Sequence, residues 1–263
     1  MNSNPQNMPG FGLLTWLGIA FLYLPIFAVI AFSFNSGRLI TVWEGFSLDW
    51  YPRALMNSDL QRAAMNSLIV AVGATFIGTV IALAAALALH GDGVPRPLKN
   101  ASYTMMALPL LVPEIVIAVT TMAFFAAINL RLGLINVLIA HIVFCIPFAY
   151  APIRARIATI PKSMSEAAKD LYADEWQAFR HVTLPLLMPG IFSGALLAFI
   201  TSLDDFIITL MVAPPGSNTL PVEIYSKVKR GITPEINAAA SMLLAFSIFI
   251  VLLSYIINRK KVI

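Results

Sequence analysis

Glu114, Asp204 and Asp205 lie inside long apolar stretches of the chain. A carboxylate in such a stretch costs about 2.5–3.5 kcal/mol unless it faces water, a partner or a cavity. No Lys or Arg shares these stretches, so the acids lack an obvious internal counter-ion. Two readings stay open: an external cation supplies the missing charge, or each acid is protonated or hydrogen-bonds a neighbouring Ser, Thr or backbone group. Asp204 and Asp205 are adjacent, so they cannot both point the same way from one helix. His141 and Cys145 share a helical face four residues apart, but two ligands cannot close a zinc site of four. They read as packing residues, and no metal is expected. Phosphate-loop, His-Glu-x-x-His and Gly-x-Ser-x-Gly motifs are absent from the sequence, which argues against ATP binding by this chain and against an enzyme.

The elements that must position these acids follow from composition. Of 263 residues, 59% are apolar and 11% charged, where a soluble domain carries about 25% charge. Mean hydropathy is +0.83. So little charge cannot cover a soluble surface, and disorder requires the opposite composition. The apolar runs are continuous rather than alternating, which favours helices over a barrel. We read an all-α membrane protein with a single transmembrane domain, 1–263, and six spans at about 11–34, 63–89, 101–127, 133–153, 186–212 and 237–258. The solitary Cys145 excludes an intrachain disulfide. A net charge of +4, scattered between spans, gives no reason to expect nucleic acid and only weak reason to expect acidic lipid.

Six spans place both termini on one side. That side collects ten Lys and Arg against seven opposite, so the positive-inside rule favours cytoplasmic termini. The first span alone would prefer the reverse, because no Lys or Arg precedes Arg38. The same lack of charge argues against a cleaved signal peptide. Ala74 with Gly78, and Gly190 with Gly194, stand at the four-residue interval that lets helices approach closely in lipid. Prolines 25, 109, 113, 147, 152 and 189 are expected to kink their helices.

The cytoplasmic loop 154–185 is built for short helices. Ser163-Met164-Ser165-Glu166 fits a capping box, and Asp174-Glu175-Trp176-Gln177 offers a second start. Glu166-Ala167-Ala168-Lys169-Asp170-Leu171 between them favours helix and carries a low-relief surface. It could be a solvated connector or a place where another protein docks.

Glu166-Ala167-Ala168, followed at family spacing by Val182 and Leu184-Pro185, resembles the Glu-Ala-Ala (EAA) loop of permease subunits of ATP-binding-cassette (ABC) importers. One position departs: Tyr172 stands where the pattern has Gly. Tyr there would either adopt a left-handed conformation at about 1–2 kcal/mol or force another turn. Further segments are similar to the spermidine/putrescine permease family, of the C-type spermidine/putrescine or I-type putrescine kind. These are Ser33–Ser36, Trp43–Tyr51, Thr201–Asp205, Leu220-Pro221 with Ile224–Ser226, and Gly231–Ala238.

The resemblance implies a type I ABC importer permease fold with short cytoplasmic coupling helices between spans four and five, in the bacterial inner membrane. It implies Glu166, Ala167, Ala168, Lys169, Asp170, Leu171 and Tyr172 as the ATPase-coupling segment. The implied partners are a second related permease in a heterodimer, an ATPase dimer carrying the ATP and magnesium, a periplasmic polyamine-binding protein, and membrane lipid. No cofactor is implied on this chain. A polyamine would supply the cation missing beside Asp204, Asp205 and Glu114. Trp43, Trp50, Tyr51 and Tyr225 could add cation–π contacts, or anchor the chain at the membrane interface. Rival readings are a secondary or proton-coupled transporter using Glu114 and Asp204/Asp205, and an ABC importer permease for another solute.

Overall fold

The computed structural model describes residues 11–39, 42–91, 93–231 and 233–259. Met1–Gly10 and Lys260–Lys261, which entered the orientation reading, lie outside the described residues. Apolar sequence becomes helix throughout: α1 (Phe11–Ser33), α2 (Trp50–Met56), α3 (Ser58–His90), α4 (Arg96–Leu111), α5 (Glu114–Ala127) and α6 (Leu134–Ala158) come first. After them come α7 (Lys162–Asp170), α8 (Glu175–Ala178), a π-helical turn (Phe179–Thr183), α9 (Leu184–Asp204), α10 (Ile207–Val212), α11 (Leu220–Arg230) and α12 (Pro234–Arg259). Among the described residues, five helices are long and apolar enough to cross a membrane, or six where the bent α4–α5 pair is counted as one span.

Two expected spans are broken rather than straight. The third bends by 104° between α4 and α5. Pro113 lacks an N–H and disfavours helix at the residue before it; Val112 is accordingly extended (φ −80, ψ 135), and α5 restarts at Glu114. Glu114 therefore opens a helix, rather than lying midway along one. The fifth span breaks after Asp204, where Asp205 is extended (φ −59, ψ 132). That span also begins earlier than expected, because α8, the π turn and α9 form one continuous helix, Glu175–Asp204. In the turn, the Leu184 N–H bonds the Phe179 carbonyl five residues back, just before Pro185, which has no N–H to give.

Close contacts divide the chain into two units, described separately. In residues 62–223, α6 lies along α9. The small residues foreseen for packing sit at this seam: a Cβ at Gly190 would come within 2.5 Å of the Arg156 Cβ, and one at Gly194 would collide with the Ala149 carbonyl. Gly78 is less confined, with its nearest neighbour 3.5 Å away. Ala74, Ala82 and Ala86 of α3 join Cys145, Ala149, Ile153 and Ile157 of α6 and Leu187 and Ala198 of α9 in one core. A second core packs α5 against α10 and α6 through Ala118, Phe125, Ala140, Phe144, Ile208 and Val212.

In the other unit, residues 11–61 and 224–248, buried Asn35 organises the loop after α1. Its amide donates to the Leu39 and Val42 carbonyls (3.1 and 2.7 Å) and accepts from the Glu44 N–H (2.9 Å). The Asn57 amide donates to Glu235 at 2.8 Å.

Candidate functional site

The loop between α6 and α9 carries the first group of site residues. Helix α7 starts at Lys162, directly after Pro161, so Ser163 lies inside its first turn and is not the expected N-cap. The second expected start forms in full: the Gln177 N–H donates to the Asp174 carboxylate (2.7 Å), and the Asp174 N–H to the Gln177 side chain (3.1 Å). Glu166, Ala167 and Asp170 are exposed on α7 and Ala168 is buried. Lys169 lies in the same helix. The helix ends in a left-handed residue, and that residue is Tyr172 (φ +61). The Ala173 N–H bonds the Ala168 carbonyl at 3.1 Å, closing a six-to-one turn of the kind glycine usually completes.

Tyr172 is 98% exposed and Leu171 81% exposed, so two large side chains project from the loop with little of their surface covered by this chain. Tyr172→Gly removes the left-handed penalty and should stabilise the isolated loop by about 1 kcal/mol. Slower amide exchange at Ala173 would show it; faster exchange would contradict the strain.

The intramembrane acids separate into different environments. Asp204 ends α9 and is exposed, whereas Asp205 is 5% exposed. The Asp205 carboxylate caps α10, accepting from the N–H groups of Ile208 (3.2 Å) and Thr209 (2.9 Å) and from the Thr209 hydroxyl (2.8 Å). His141 of α6 places Nε2 3.1 Å from the same carboxylate. Glu114, in the first turn of α5, is half-buried.

The expectation that the acids lack an internal counter-group is thus corrected for Asp205. His141 is a fully buried polar partner, not simply a packing residue. Its other nitrogen, Nδ1, meets the Ser202 hydroxyl at 2.8 Å, and Nε2 lies 2.9 Å from the Thr209 hydroxyl. The signal available in sequence was a single histidine in an apolar run. Cys145 is buried one turn below, with its thiol on the Ala198 carbonyl.

The aromatic candidates already have neighbours of their own. Trp50 is buried, donates its indole N–H to the Asn35 carbonyl (2.7 Å) and carries the Arg53 guanidinium 4.8 Å above its ring. The Tyr51 hydroxyl pairs with Ser33 at 2.7 Å. Lys229 lies 4.7 Å over the Tyr225 ring. Trp43 is half exposed and meets Phe32 edge-on at 6.3 Å.

A bent third span, a broken fifth span and paired short helices on the loop between the fourth and fifth spans define an all-α, multi-pass membrane protein. The chain belongs to the family described as binding-protein-dependent transport system inner membrane component, whose model matches residues 78–261. It is 38% identical over 242 residues to the spermidine/putrescine transport system permease protein PotC of Haemophilus influenzae, covering 92% of this chain and 93% of that one. It is 36% identical over 234 residues to the putrescine transport system permease protein PotI of Escherichia coli K12, covering 87% and 83%.

Among solved structures, a bacterial ABC transporter that imports alginate superposes with a TM-score of 0.73 at 18% identity, covering 95% of this chain and 93% of that one. The methionine transporter MetNI gives 0.64 at 21% identity, covering 76% and 95%. The fold is that of a type I ABC importer permease, all-α and multi-pass, with short helices between the fourth and fifth spans.

Proposed function

We propose that this chain is one half of the inner-membrane channel of an ATP-driven polyamine importer. A second, related permease forms the other half, and an extracytoplasmic binding protein delivers putrescine or spermidine. An ATPase dimer on the cytoplasmic face binds the ATP and magnesium, and both termini of this chain lie on that face. The observation that carries the reading is the short helix α7, with Glu166 and Ala167 exposed and Leu171 and Tyr172 projecting beyond it, in a chain whose 36–38% identical relatives are polyamine permeases. A rigid short helix passes displacement to α6 and α9 better than a flexible loop would, and the Arg156 side chain ties the base of the loop to the Leu186 carbonyl at 2.8 Å.

Within the membrane, exposed Asp204 and half-buried Glu114 are the acids offered to the ammonium groups of the solute, while Asp205 holds the helix break beneath them. Two separated carboxylates suit a cation whose charges are themselves spaced along a chain.

The test is reconstitution in liposomes with the companion permease, ATPase and binding protein, using radiolabelled spermidine and putrescine. Uptake should require ATP and all the chains. Uptake by this chain without the ATPase overturns the reading in favour of a secondary transporter.

A further inference from the structure

We infer that His141 is a positioning residue for transport: it latches the break between α9 and α10 to α6, so that displacement of the coupling loop reaches the outer half of the fifth span. The inference rests on the importer reading above.

The ring spans the break. Ser202 precedes it, Asp205 lies in it and Thr209 follows it, and His141 contacts all three from α6 at 2.8, 3.1 and 2.9 Å. Donor counting fixes part of the arrangement. The Thr209 hydroxyl spends its single proton on the Asp205 carboxylate, so toward His141 it can only accept. Nε2 must therefore carry a proton, shared between the Thr209 oxygen and Asp205. The acid is held turned inward, its lone pairs taken up by the ring, the Thr209 hydroxyl and two backbone N–H groups.

The latch sits opposite a second tie. Helices α6 and α9 flank the coupling loop and are joined at its base by Arg156 and Leu186. At their far end His141 joins them again and adds α10. The regular helix of α9 does not continue into α10, because the backbone is extended at Asp205. The imidazole restores a rigid connection among α6, α9 and α10.

The experiment compares His141→Leu and His141→Gln in the reconstituted complex with radiolabelled spermidine and putrescine, scoring solute moved per ATP hydrolysed by equal amounts of assembled complex. His141→Leu should lower that ratio by about tenfold, the scale of coupling carried by residues between two sites. His141→Gln supplies an N–H toward Asp205 and an oxygen toward Ser202, and should restore the ratio to within about threefold of the parent.

A purely structural role would lower uptake and hydrolysis together, in step with the amount of complex, and leave the ratio unchanged. Should His141→Leu fail to assemble, Ser202→Ala frees only the α9 side of the ring and should lower the ratio by about threefold. An unchanged ratio in an assembled variant, or a glutamine variant as poor as leucine, overturns the inference. Failure of the importer reading is distinguishable, because the unaltered complex would then transport without ATP.

Discussion

Placing a bulky side chain at Ala167 should reduce uptake about tenfold or more, the cost of spoiling a central contact on a docked surface. The protein should still reach the membrane in normal amount, since Ala167 is exposed. Ala167→Trp tests steric fit, and Glu166→Ala tests the exposed carboxylate beside it. Both should leave ATP hydrolysis by the partner running without matching transport. Ala168 is a different case: it is buried and its carbonyl closes the turn at Ala173, so a large residue there disturbs the loop itself. Normal uptake by Ala167→Trp and Glu166→Ala would remove α7 from the coupling surface.

The second large effect separates the adjacent aspartates. Asp205→Ala should destabilise the folded chain by at least about 1–3 kcal/mol, the cost of leaving a buried donor unsatisfied. It strands the His141 N–H, the Thr209 hydroxyl and two α10 N–H groups in the core. Asp205→Asn is no gentle substitute, because its amide N–H₂ must face groups that are themselves donors. Asp204→Asn, at an exposed position, should leave thermal stability within about 0.5 kcal/mol of the parent and lower polyamine uptake. Thermal unfolding of the purified complex, read beside uptake, decides between them. A stable Asp205→Ala variant, or an unstable Asp204→Asn one, would reverse the assignment.

Much of this architecture is legible along the chain because it is local. Uninterrupted apolar runs specify spanning helices, and Asp174 with Gln177 forms its capping box because both partners lie within four residues. Tyr172 was legible as a problem, since any non-glycine residue at that turn carries strain; the structure shows that the strain is accepted. Ser163 is not the cap because the helix starts directly after Pro161, two residues sooner than the hydroxyl pattern suggests.

The site itself depends on distance. His141 meets Ser202 and Thr209 from 61 and 68 positions away, and no periodicity links residues so far apart. The same holds for the helix breaks. Pro113 announces a kink but not a bend of 104°, which is completed by packing of α5 on α10. Asp205 reads as an acid within a span until the chain folds and its carboxylate replaces the missing helical acceptors.

The unbroken rod Glu175–Asp204 has a mechanical consequence. At 1.5 Å per residue it is about 45 Å long, so a tilt of about 5° about its Glu175 end sweeps its Asp204 end through about 4 Å. Torque applied at the Asp174–Gln177 corner is thereby geared up into a stroke comparable to the width of an ammonium group at Asp204. An import step can then be driven by a modest rotation of one lever arm, without unwinding any helix.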